Sequence, residues 1–186
     1  MPRIQAASVA ENRDLRRMAL VSAAGDLHRI GGDAAVTMSA AAVAAGISRP
    51  AAYEYFHSSA ELLGELVDRQ AERWTSMVAL AMTEAGDVAD IVRVFVRTSL
   101  RAVAEDAPRK GLTGEQISRL HQGPARELSY ALASAGVVEP TLAARLVTGA
   151  VVAIARTHDQ DEDCVPSVTE FLLTGLAGLS AAQSPP

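Results

Sequence analysis

With 186 residues, 49% of them apolar and 21% charged, the chain is long enough to bury a core, and no apolar run approaches the ~20 residues of a membrane span. A lone cysteine, Cys164, excludes an internal disulfide and a four-thiolate metal site. The net charge of −5 argues at first against a nucleic-acid partner, but six arginines face five acids in residues 1–58, so the acidic excess lies wholly from residue 59 onward.

Hydrophobic spacing is helical throughout, with no alternating strand pattern. Ser8-x-x-Glu11 is a capping box opening a first helix that runs to about Ile30, with Leu20, Ala23, Leu27 and Ile30 as its apolar face. Gly31-Gly32 stops it. Thr37 caps a second helix, Met38 to about Ala45, which Gly46 ends in a left-handed turn. Ser48 caps a third helix, and Pro50 falls in its first turn, where a missing N–H costs nothing. A second capping box, Ser58-x-x-Glu61, opens a long helix predicted to reach about Ala85, ended by Gly86-Asp87. Five more helices are expected at about 88–105, 114–122, 125–135, 141–158 and 167–181. Pro108, Gly111, Gly123-Pro124, Gly136, Pro140 and Pro166 separate them, and Thr113-x-x-Gln116 and Ser167-x-x-Glu170 are further capping boxes. The expected fold is all-α, about nine helices, three of them short and N-terminal.

Thr37–Phe56 reads as a helix-turn-helix. Gly32, Thr37, the AxxAG run Ala42–Gly46, Ile47, Ser48 and the Tyr53-x-Tyr55-Phe56 ending, followed by Leu62 and Leu63, resemble the DNA-binding domain of the tetracycline-repressor (TetR) family. The resemblance implies a helix-turn-helix domain over residues 1–58 and a helical ligand-binding and dimerisation domain over 59–186. It implies a bacterial, cytoplasmic transcriptional regulator, most simply a repressor. Such a protein binds a palindromic operator in double-stranded DNA as a homodimer and is released by a small-molecule effector. No enzyme, cofactor, metal or membrane function is expected.

In the third helix Arg49 is the charged donor nearest the N-terminus, and its fork matches the O6 and N7 acceptors of guanine. A salt bridge to Glu54 or a phosphate contact is the alternative. Pro50 and Ala51 are small, and Ala51 has reach to a thymine methyl. Tyr53 and Tyr55 lie two apart, about 200° around a helix, so they face different surfaces. The resemblance assigns tyrosines here to phosphate contact and Phe56 to the core. Thr37 and Ser39 open the second helix, where a phosphate is favoured. His57 and Ser59 stand where the family often has proline and a phosphate-reaching lysine, which predicts a weaker electrostatic grip. His28 and Asp33 also depart from the family pattern, at positions usually apolar or aromatic.

The resemblance places a ligand pocket among the middle helices, with Trp74, Met77, Phe95, Leu120 and His121 as candidate walls. It places the dimer on the last two. There Leu142, Leu146, Gly149, Val152 and Ala153 join Phe171, Leu172, Gly175, Leu176 and Leu179. These helices are apolar over more than one face, and close backbone approach at an interface offsets the helix propensity lost at their glycines.

No nucleophile-elbow, HExxH or glycine-rich phosphate-loop pattern is present. Asp159-Gln-Asp161-Glu-Asp163 has acids at EF-hand positions 1, 3 and 5, but Cys164 sits where glycine is needed and Pro166 follows, so it reads as a solvated turn. A helical adapter binding only protein is the rival function; it has no use for Arg49 or the YxYF element.

Overall fold

Local side-chain chemistry sets most of the helix limits. The computed structural model describes residues 9–105, 113–157 and 164–181, and side chains within 11–103, 113–154 and 164–177. They form α1 (Val9–Gly31), a 3-10 turn (Asp33–Ala35), α2 (Met38–Ala44), α3 (Arg49–Tyr53), α4 (Ser59–Met82), α5 (Val88–Glu105), α6 (Gly114–Ser134), α7 (Pro140–Thr157) and α8 (Val165–Ala181). No strand occurs among the described residues. The expected Ser8 cap, His158 and the acidic segment Asp159–Asp163 lie outside them, as does the side chain of Leu179.

Thr37 has extended backbone, and its Oγ1 accepts from the Ala40 N–H at 3.1 Å, satisfying a donor that the first turn of α2 leaves free. Ser48 does the same for Ala51 in α3 at 3.3 Å. Between them Gly46 adopts φ +68°, and the Ile47 N–H reaches back to the Ala42 carbonyl, closing α2. The hydroxyl of Ser58 accepts from the Glu61 N–H at 3.1 Å, while the Glu61 carboxylate reaches past the cap to the His57 N–H at 2.7 Å. Thr113 and Gln116 form a reciprocal box at 2.8 and 3.2 Å.

Four expectations are corrected. Gly123-Pro124 does not split a helix: α6 runs through it, leaving eight α-helices among the described residues rather than about nine. The cause is packing. A Cβ on Gly123 would lie 2.1 Å from the Thr75 hydroxyl oxygen, so α6 approaches α4 where only glycine fits, and the Pro124 ring is buried beside it. Second, Ile30 is 85% exposed and leaves the apolar face of α1, whose inner side is Leu20, Val21, Ala24 and the buried His28. Third, α4 stops at Met82, short of Ala85, and Asp87 instead caps α5 through the Asp90 N–H at 2.8 Å. Fourth, α8 starts at Val165 with Pro166 in its first turn, so Ser167 lies inside the helix and does not cap it.

The chain divides into two compact units. One takes the chain up to Arg69 and the opening of α6 as far as Gln116; the other takes Gln70 onward through α5, and Ile117 onward. In the first, α1, α2 and α3 pack around Leu20, Val36, Met38, Ala41, Ala52, Phe56, Leu62 and Leu66. In the second, α5 packs against α7 and α8 over a core that includes Trp74, Val78, Val92, Phe95, Leu120, Leu128 and Val147.

Candidate nucleic-acid interface and effector groove

The turn between α2 and α3 exposes a short run of polar side chains. Thr37 and Ser39 are exposed at the start of α2, and Ser48, Arg49 and Pro50 at the start of α3. Ala51 is half-buried and Ala52 fully buried, so α3 turns its outer face through Arg49 and Tyr53. These two are one helical turn apart. The Arg49 guanidinium lies 5.8 Å from the Tyr53 ring centroid, and its Nη2 donates to the Tyr53 hydroxyl at 3.5 Å. Arg49 thus leans on Tyr53 rather than on Glu54, and keeps the rest of its donor fork outward.

Tyr55 points the other way, half-buried against the first unit's core beneath the Arg13 guanidinium at 5.4 Å. Arg13 also donates to the Glu54 carbonyl at 3.4 Å. Phe56 is fully buried, with Arg17 above its ring at 4.8 Å and paired to Glu65 at 2.8 Å. Arg29 pairs with Asp26. Structural contacts hence absorb much of the positive charge of this unit and leave Arg49 as the outward cation of α3. His57 is exposed, Nδ1 3.0 Å from Glu61, and Ser59 is half-buried in the first turn of α4. Hydrogen bonds from the His57 backbone and ring hold the Glu61 carboxyl below its ordinary value of 4.5.

The two departures noted in the sequence meet each other. His28 is 3% exposed, and its Nε2 lies 2.9 Å from Oδ1 of Asp33. A polar pair within ion-pair distance, though out of hydrogen-bond geometry, stands where aromatic packing was expected, between the end of α1 and the 3-10 turn that leads into α2.

In the second unit Trp74, Phe95 and Leu120 are buried and Met77 half-buried. The Trp74 indole donates to Ser99 Oγ at 3.1 Å, and His121 meets it edge-on at 5.2 Å between ring centroids. Of the five predicted wall residues, His121 alone lines the groove of about 610 Å³ that lies between α6 and α7. Sequence reasoning missed the rest of that lining: Ser118, Gln122, Ala125, Arg126, Ser129 and Tyr130 from α6, and Thr141, Ala144, Arg145 and Thr148 from α7. The signal was a 3-1-4-3 polar spacing of Ser118, His121, Gln122, Arg126 and Ser129 along one side of α6.

On α7, Leu142, Leu146, Gly149 and Ala153 form an exposed stripe, with Val152 half-buried. On α8, Phe171 is 77% exposed and Gly175 is exposed, whereas Leu172 and Leu176 turn inward, 7% exposed each. A Cβ added at Gly149 or Gly175 would meet nothing within 4 Å, so packing inside the chain does not demand either glycine.

The whole architecture matches solved structures. The fatty acid degradation regulator FadR from Bacillus halodurans aligns with a TM-score of 0.69 at 19% sequence identity, over 87% of this chain and 96% of that one. FadR from Bacillus subtilis, solved in complex with stearoyl-CoA, gives 0.69 at 17% identity, over 85% and 98%. A transcriptional regulator of the TetR/AcrR family from Thermobifida fusca gives 0.64 at 21% identity, over 86% and 97%. No protein-family model and no curated protein sequence matches the chain. At such identities the likeness establishes the fold, which is the all-α fold of TetR-type regulators.

Proposed function

We propose that this chain, folded as TetR-type regulators are, is a DNA-binding transcriptional regulator that grips a palindromic operator as a homodimer and responds to a small molecule. A fold hosts many functions, so the proposal rests on the site. The observation that carries it is the outward Arg49–Tyr53 pair at the start of α3, set on two hydroxyl-capped helices joined by a left-handed glycine. In this reading α3 enters the major groove, where Arg49 reads a base edge beside Pro50 and Ala51. Tyr53, Thr37, Ser39 and Ser48 meet phosphates, with His57 and Ser59 at the flank. Tyr55, half-buried under Arg13, supports the reading helix from behind. Residues 1–58 form the DNA-binding domain and 59–186 the effector and dimerisation domain.

One arginine and one outward tyrosine make a weak grip per protomer, so two copies are needed. The exposed stripe Leu142, Leu146, Gly149 and Ala153, with Phe171 and Gly175, is the dimer face, and the unforced glycines let helices of the two protomers approach closely. FadR from Bacillus subtilis was solved with stearoyl-CoA and SmeT with triclosan, both of like fold, which supports small-molecule binding here. The region around Trp74, Met77, Phe95, Leu120 and His121 responds to the effector. An effector that favours the wrongly spaced dimer weakens DNA binding reciprocally, giving a repressor released by its ligand. Among the described residues no helix is long and apolar enough to cross a membrane.

The test is a gel shift on DNA selected from a random pool, with the wild type against the double variant Arg49→Ala, Tyr53→Phe. Loss of the shift is expected. Unchanged binding would remove α3 as the reading surface.

A further inference from the structure

The α6–α7 groove is chemically one-sided. Arg126 and Arg145 line it from opposite helices, with His121 and the hydroxyls of Ser118, Ser129, Tyr130 and Thr141, and no acidic side chain is among its lining. Outside the lining, Arg126 Nη2 reaches Glu127 at 3.4 Å, engaging one of the five donors of that guanidinium. Thr148 also lines the groove. It is 5% exposed, and its Oγ1 is buried without a hydrogen-bond partner among the described residues. A buried hydroxyl left unpaired is costly, and most such groups in folded proteins find a partner. That oxygen is closed to solvent, so the open polar groups of the groove are led by the guanidinium groups of Arg126 and Arg145. Ala125, Ala144 and the Tyr130 ring give the same groove an apolar side.

We infer that this groove binds a small organic carboxylate, its head held by Arg126 and Arg145 and its apolar body against Ala125, Ala144 and Tyr130. This rests on the effector-responsive function proposed above and names the class of effector. Planar guanidinium forks match a carboxylate in bidentate geometry, which a neutral head cannot reproduce. Because the two arginines come from different helices, the anion ties α6 to α7. Arg145 falls between Leu142 and Leu146 along α7, so the bound head borders the proposed dimer face and has a route to its geometry.

The experiment is titration calorimetry of the full chain with octanoate, with 1-octanol as the uncharged counterpart and inorganic sulfate as an anion without a body. Saturable octanoate binding is expected, at least ~10-fold tighter than octanol and sulfate, given the roughly doubled strength of charge-assisted bonds. The double variant Arg126→Met, Arg145→Met keeps the apolar stems and should weaken octanoate at least ~10-fold. No saturable octanoate binding at millimolar concentration, equal binding of octanol or sulfate, or an unchanged double variant overturns the inference. A parallel gel shift separates the two claims. DNA binding without octanoate binding removes the groove alone, whereas octanoate binding without DNA binding removes the regulator function and leaves the groove.

Discussion

Phe171→Ala isolates the proposed dimer face, because the side chain does little inside one protomer. It is 77% exposed, while Leu142 and Leu146 on α7 are 41% and 50% exposed. Fully burying such a side chain is worth about 1.5–3 kcal/mol, so covering these exposed parts gains roughly 4 kcal/mol per protomer and about 8 in a symmetric pair. Association itself costs about 4–15 kcal/mol, so this stripe is needed for a stable dimer. Removing the phenyl ring from both copies loses roughly 3–4 kcal/mol, which corresponds to a dissociation constant raised on the order of 300-fold. Sedimentation velocity across a dilution series measures it directly. Circular dichroism of the dilute variant should show unchanged helix content. A dissociation constant within about threefold of wild type, on the scale where 1.4 kcal/mol is tenfold, would refute the assignment of Phe171 to the interface.

Three other outcomes follow from the site and the packing. Arg49→Ala should cost about 1–3 kcal/mol on the preferred operator and relax the preference at one base position, read by competition gel shifts; a uniform loss over all sequences would make Arg49 a phosphate contact. Gly123→Ala forces a methyl to within 2.1 Å of the Thr75 oxygen, so it should lower stability by about 1–3 kcal/mol in denaturant melts, with Thr75→Ala restoring much of it. If Gly123→Ala is neutral, the close approach of α6 to α4 is wrong. Glu61 is held below its ordinary 4.5 first by the His57 backbone N–H and then by its ring, so its contribution is present above that value and lost as pH falls through the lowered one. Glu61→Gln should therefore lower the melting temperature at pH 7, with the gap closing as the pH falls below 4.5. A gap independent of pH contradicts the cap.

The parts legible in the sequence were those fixed by neighbours along the chain. Thr37 and Ser48 bond to N–H groups three residues on, and Gly46 needs its left-handed turn whatever surrounds it. What escaped was set by distant partners. Gly123-Pro124 reads as a break until Thr75 is seen against it, and His28 looks misplaced in a core until Asp33 stands 2.9 Å away. Ile30 continues the apolar spacing of α1 yet is 85% exposed, because helical spacing does not say where the packed face ends. In the second unit apolar size alone does not separate buried residues from groove-lining ones. Trp74, Phe95 and Leu120 are buried, while the α6–α7 groove takes Arg126 and Arg145 from two helices, which no local spacing announces.

Selection of bound sequences from a random DNA pool by the full chain tests the central claim most directly. The account predicts enrichment of an inverted repeat whose half-sites lie about 34–36 Å apart, or a multiple of one helical turn, as paired α3 helices require. Absence of enrichment, or recovery of a single unpaired half-site by the wild type, would contradict a dimeric regulator reading DNA through Arg49.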